Sequence, residues 1–107
     1  MLVAYGDAGT ALGCGALRAL DSDAAELKRM YVVPDARGRG VATALLAALE
    51  GVARDRGWAT LRLETGPRQP EAIALYTRAG YRPIEAFGAY AGAPEAGDSV
   101  FYERRIA

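Results

Sequence analysis

Between positions 40 and 56 the apolar residues Val41, Leu45, Leu46, Leu49, Val52 and Ala53 return at steps of three and four. That is the period of a helix with one buried stripe, and Arg54, Arg56 and Gly57 supply the cations and glycine expected at its C-terminal end. The helix follows a β-branched run that closes on Pro34, and it precedes the alternating stretch Trp58 to Thr65. Strand, helix and strand in that order form a βαβ unit. The chain is therefore expected to be α+β, or mixed α/β, with one central sheet flanked by at least two helices.

The remaining segments fit around this unit. Leu2 to Tyr5 and Leu12 to Leu20 are rich in strand-compatible residues and are separated by Gly6, Asp7 and Gly9, which predicts an antiparallel hairpin. Asp21, Ser22 and Asp23 break the chain again before a strand over Glu26 to Val33, on which Glu26, Lys28, Met30 and Val32 share a face if no bulge intervenes. Pro70 opens a second helix that runs to Ala79 and stops at Gly80. Tyr81 to Phe87 and Val100 to Ile106 read as further strands, and Gly88 to Asp98, crowded with Gly, Ala and Pro, reads as a loop. With 107 residues, no repeat and no linker, one domain over 1–107 is expected.

Thirteen basic residues balance thirteen acidic ones, so no global field steers the chain toward nucleic acid or an anionic membrane. No run is long enough for a membrane helix and no secretory signal is recognisable, so cytoplasmic residence is the expectation. The single cysteine, Cys14, precludes an internal disulfide, no metal-ligand spacing occurs, and Cys14 reads as a small core residue. The absence of histidine removes the commonest general base and leaves proton transfer to carboxylates, phenols, lysines or the thiol.

The strand-to-helix junction carries the densest chemistry. Arg37, Gly38, Arg39, Gly40, Val41, Ala42 and Thr43 stand where a helix N-terminus offers free N–H groups and partial positive charge. Two arginines there imply a bound anion, and the glycines allow the backbone to approach it closely. The spelling excludes a P-loop, which needs Lys and Ser or Thr after the last glycine. It also excludes a dinucleotide fingerprint, because Thr43 stands where a third Gly or Ala is needed. A glycine-rich turn with solvated arginines is the plainer alternative.

The string Arg37 to Ala42 resembles the signature of the GNAT superfamily of N-acetyltransferases: arginine or glutamine, two residues, glycine, one residue, glycine or alanine. Tyr31, Val32 and Pro34 precede it as the family's fourth strand does, and Ala72, Ile73, Leu75, Tyr76, Gly80 and Tyr81 are similar to its later helix and following turn. The resemblance implies a three-layer α/β/α sandwich with a mixed sheet. It also implies transfer of an acetyl group from acetyl-CoA, as cosubstrate and without a metal, to a primary amine on a small molecule or peptide. In this family the junction holds the coenzyme A pyrophosphate, so Arg37, Gly38, Arg39, Gly40, Val41, Ala42 and Thr43 are implied ligands. Backbone groups of Met30, Tyr31 and Val32 would meet the pantetheine arm, and Gln69 stands where many relatives place an asparagine for the same region.

By the same resemblance Glu26 takes the place of a glutamate that deprotonates the amine, with Glu64 in reserve, and Tyr76 that of the general acid near the sulfur. Glu26 is equally compatible with pairing to Lys28, and Tyr76 with core packing. Family domains begin with a strand and two helices that this chain lacks, which is the expected N-terminally shortened form. An exposed sheet edge and a homodimer would follow. Phe87, Tyr90, Glu95 and Asp98 would lie at the acceptor mouth, where the carboxylates suit a cationic amine. The competing expectation is a noncatalytic acyl-CoA-binding or regulatory module.

Overall fold

The computed structural model describes residues 2–5, 9, 11–38, 40–66, 70–87 and 99–107. Its strands are β1 (Leu2–Tyr5), β2 (Ala11–Ala19), β3 (Ala24–Val32), β4 (Thr60–Thr65), β5 (Arg82–Ile84) and β6 (Val100–Arg105), and its helices are α1 (Val41–Asp55) and α2 (Pro70–Arg78). The strands form one mixed sheet in the order β1-β2-β3-β4-β6-β5, parallel between β3 and β4 and antiparallel elsewhere. The α+β class and the central βαβ unit are as expected.

The helical period places Leu45, Leu46, Leu49 and Ala53 of α1 in the interior. Of these, Leu46, Leu49 and Ala53 meet Ala25 and Leu27 of β3, Leu61 and Leu63 of β4, Tyr102 of β6 and Tyr76 of α2 in one cluster, so both described helices cover the same face of the sheet. Each fully buried leucine contributes about 1.5–3 kcal/mol through the water it sheds. Among the described residues no helix is long and apolar enough to cross a membrane.

Two local features position everything that follows. Asp21 accepts backbone N–H bonds from Asp23 at 2.7 Å and Ala24 at 2.8 Å, which closes the β2–β3 turn through a side chain. In the same hairpin the register shifts between Cys14 and Ala16, opposite Arg29, whose φ is 58°. The bulge reverses the alternation on β3. Glu26 and Lys28 share a face, but Met30 turns to the helix side and packs against the core cluster, which corrects the shared face expected for Glu26, Lys28, Met30 and Val32.

Room for that bulge comes from glycine: a Cβ on Gly15 would stand 2.6 Å from Met30 Sδ and 2.7 Å from Leu49 Cδ1. The Cys14 thiol lies 3.6 Å from the Arg29 carbonyl, across the same irregularity. The Tyr81 to Phe87 strand is shorter than expected, spanning Arg82–Ile84, since Pro83 has no N–H to extend a ladder. The expected loop at 88–98 falls outside the described residues.

Candidate functional site

The parallel pair in mid-sheet is brief. Ala24, Ala25 and Glu26 face Thr60, Leu61 and Arg62, and the pairing then ends although β3 continues to Val32 and β4 to Thr65. Glu26 and Arg62 are the last pair before the strands part. Past that fork β3 stays paired with β2 on one side only, so its backbone groups on the β4 side are available to a ligand. Met30, Tyr31 and Val32 lie on this one-sided stretch. One of its groups is engaged: Val33 N–H turns to Leu12, so the Val32 carbonyl points away from β2, and Arg37 Nε donates to it at 3.1 Å.

The chain then makes a 3₁₀ turn over Pro34–Ala36, anchored by the fully buried Ala36, and enters α1. Gly40 is the N-cap residue in the left-handed region with φ 78°, and Gly38 has φ 79°. Among the described residues no side chain caps this N-terminus, and no acidic residue lies in the first turn. Its leading N–H groups therefore lack the carboxylate or hydroxyl that usually satisfies them. A Cβ at Gly38 or Gly40 would meet nothing within 4 Å, so the space beside them is open. Arg37 joins this cradle to the strand, because its guanidinium carbon also lies 5.8 Å from the Tyr31 ring centroid. Gly38, Gly40, Val41, Ala42 and Thr43 are thus gathered at one open helix start, whereas Arg39 and Gln69 fall outside the described residues.

The two candidate bases flank the fork. Glu26 is 2% exposed, with Arg18 and Arg62 as its cross-strand neighbours. Glu64, on β4, accepts a hydrogen bond from the Ser99 hydroxyl. Tyr76 is buried in α2 with its ring edge-on to Tyr81 at 5.7 Å, and burial pushes its hydroxyl up to about 12.

One constellation was not anticipated from sequence. Glu50, 6% exposed near the middle of α1, accepts hydrogen bonds at 2.9 Å from the Tyr81 hydroxyl and at 2.9 Å from Arg104 Nη1, both on Oε2. Burial first, then the Glu50 charge and its hydrogen bond, drive the Tyr81 hydroxyl strongly upward. The Tyr81 N–H also donates to the Tyr76 carbonyl at 2.9 Å. A readable sign existed: Glu50 lies four residues after Leu46 and three before Ala53, on the apolar stripe itself.

A family model described as "Acetyltransferase (GNAT) family" matches residues 1–81. The chain belongs to the GNAT acetyltransferase family. An IAA acetyltransferase of Azospirillum brasilense is 43% identical over 100 residues, which cover 92% of this chain and 63% of that protein. A Klebsiella pneumoniae protein provisionally named an acyl-CoA N-acyltransferase matches in structure with a TM-score of 0.91 at 45% identity, over 98% of this chain and 70% of that one. A GNAT family acetyltransferase from Elizabethkingia anophelis, solved with acetyl-CoA bound, shares the fold with a TM-score of 0.82 at 18% identity, over 96% and 73% of the two chains. This GNAT chain spans between 28% and 63% of the lengths of the curated relatives it matches.

Proposed function

We propose that this GNAT chain is an acyl-CoA-dependent N-acetyltransferase that moves an acetyl group from acetyl-CoA to a primary amine of a small molecule or peptide by direct attack. The observation that carries the reading is the joining of two features within a few residues: a parallel strand pair that opens after Glu26 and Arg62, and an uncapped helix start. The donor set fits coenzyme A, because an extended amide-bearing arm matches an open strand edge and a diphosphate matches bare helical N–H groups beside open space. Bound there, acetyl-CoA supplies an activated acyl group and a thiol leaving group.

The chain's own residues then divide the work. The amides around Gly38, Gly40, Val41, Ala42 and Thr43, with Arg37 and Arg39, hold the diphosphate, and Gln69 adds an amide near the arm. Backbone groups of Met30, Tyr31 and Val32 align the arm and polarise the thioester carbonyl, an effect that is large because these dipoles are fixed before the reaction. Glu26, at the fork, accepts the proton that the attacking amine must shed, directly or through water. Glu64, on the other flank, is the alternative base.

Tyr76 holds its proton throughout the ordinary pH range and offers it to the departing sulfur. At about 12 it is a weaker acid than a thiol near 8.5, so its main contribution is a hydrogen bond that stabilises the thiolate. No covalent enzyme intermediate is invoked, because Cys14 is tied to the bulge carbonyl in the β2–β3 hairpin. Cytoplasmic residence belongs to the same reading, as does a homodimer along edge strand β1, where Val3 and Tyr5 are exposed.

Incubation with acetyl-CoA and a panel of primary amines, following free thiol, tests the reading. Thiol release that depends on an amine is the expected result. CoA binding without release for any amine points to a noncatalytic acyl-CoA-binding module, and absence of CoA binding removes both.

A further inference from the structure

The face of the sheet turned away from the helices carries an uneven charge around Glu26. Arg18 is the cross-strand partner of Glu26, and Ala16 that of Lys28, so Arg18, Glu26 and Lys28 project on one side. The bulge adds Arg29, exposed and in the left-handed region. Ala16, Leu17, Arg18, Lys28 and Arg29 line an open cleft of about 290 Å³. Three of its five lining residues are cationic and none is acidic, in a chain whose formal net charge is zero. On the other flank of Glu26, Arg62 is held by Glu103, which also takes Arg82. Among the described residues, the ion pairs Arg62–Glu103, Arg82–Glu103 and Arg104–Glu50 are made by cations other than those of the cleft.

A purely cationic amine approaching Glu26 meets this positive rim before it can lose its proton, and like charges at such range disfavour it. An acceptor that brings its own anion reverses the sign of the encounter. A guanidinium and an ammonium set side by side suit a carboxylate, the first by its fork and the second as a point charge. Lys28 stands two residues along the strand from Glu26, a span of about 6–7 Å at the usual rise. The anion and the amine therefore belong to one small molecule.

We propose that the acceptor is an amino acid in its zwitterionic form, its carboxylate seated in the cleft of Arg18, Lys28 and Arg29 and its amine presented to Glu26. The inference rests on the acyl-transfer reading, of which it names the substrate class. The expectation that Glu95 and Asp98 attract a cationic amine falls on residues outside the described ones.

The test compares each standard amino acid with its carboxamide and its decarboxylated amine as acceptors. The expected result is a kcat/KM at least about 10-fold higher for the carboxylate form, the size of one charge-assisted contact. Arg18→Gln, alone and with Lys28→Gln, removes that preference through KM while the calorimetric titration with CoA is unchanged. Arg18 is exposed, so its single variant keeps the test readable if the double variant unfolds. A second arm needs no turnover: N-acetylated amino acids and their N-acetyl carboxamides are titrated into the CoA-saturated protein and into the protein alone. Carboxylate-selective binding lost in Arg18→Gln supports the cleft, and equal binding or turnover of carboxamides overturns it. Failure of the acyl-transfer reading shows separately, as absence of thiol release with every acceptor, whether or not CoA binds in the same calorimeter.

Discussion

The two ends of α1 are built in opposite ways. From its middle onward the helix is fastened by polar contacts: Glu50 to Tyr81 and Arg104, and Arg54 Nε to the Ile106 carbonyl at 2.7 Å. Its first turn has no side-chain cap, no acidic residue and two left-handed glycines nearby. Ser or Asp as a cap would gain only a few tenths of a kcal/mol over glycine, and the left-handed φ of 78° at Gly40 would strain either one. The contrast teaches that fastening and an open helix start are assigned to different turns of one helix, so each can be altered separately.

Alkaline pH attacks the fastened part with the largest effect. In the unfolded chain a tyrosine ionises near pH 10, whereas folded Tyr76 keeps its proton to about 12. Its contribution is therefore complete below pH 10 and is lost as pH rises from 10 to 12. The loss by pH 12 is roughly 2 kcal/mol from Tyr76, and Tyr81 adds to it in the same direction. Urea titrations at pH 9 and pH 12 measure the fall, and Tyr76→Phe should reduce it. An unchanged midpoint would mean that these rings are not sequestered as described.

Glu50→Ala leaves Arg104 without its partner and Tyr81 without its acceptor, and should cost about 3 kcal/mol, the low end for a buried pair because Arg104 is 34% exposed. Thermal melts check this, while CoA affinity should hold. Gly40→Val attacks the other end, where CoA affinity should fall roughly 100-fold, the value of one or two charge-assisted hydrogen bonds. Its Cβ meets no protein atom, so beyond a left-handed strain of about 1–2 kcal/mol the fold should persist. A variant that binds CoA normally would sink the cradle. The smallest effect is expected for Arg54→Ala, about 1 kcal/mol from one lost hydrogen bond at the helix end, read as a modest drop in melting temperature.

What was legible in the sequence follows the same division. The period of Val41, Leu45, Leu46, Leu49, Val52 and Ala53 identified α1 because one helix face must avoid water, and Gly38 and Gly40 identified the cradle because their spacing is local. Features that depend on partners far along the chain were harder to see. The bulge at Arg29 carries no breaker of its own, and its sign lies on the neighbouring strand, where Gly13 and Gly15 leave the clearance it needs. A Cβ on Gly13 would sit 2.6 Å from the Tyr31 carbonyl. Glu50 meets Arg104 across 54 positions, a separation that no local period reports. The fork has no local sign either, since strand composition does not say where a parallel pairing stops.

The short β3–β4 pairing has a mechanical consequence. Three residue pairs form the ladder that joins the β1-β2-β3 half of the sheet to the β4-β6-β5 half, and α1 packs across that seam through Leu46 and Leu49. A guest lying along it would act as a missing row of stitches, and the sheet would be whole only while occupied.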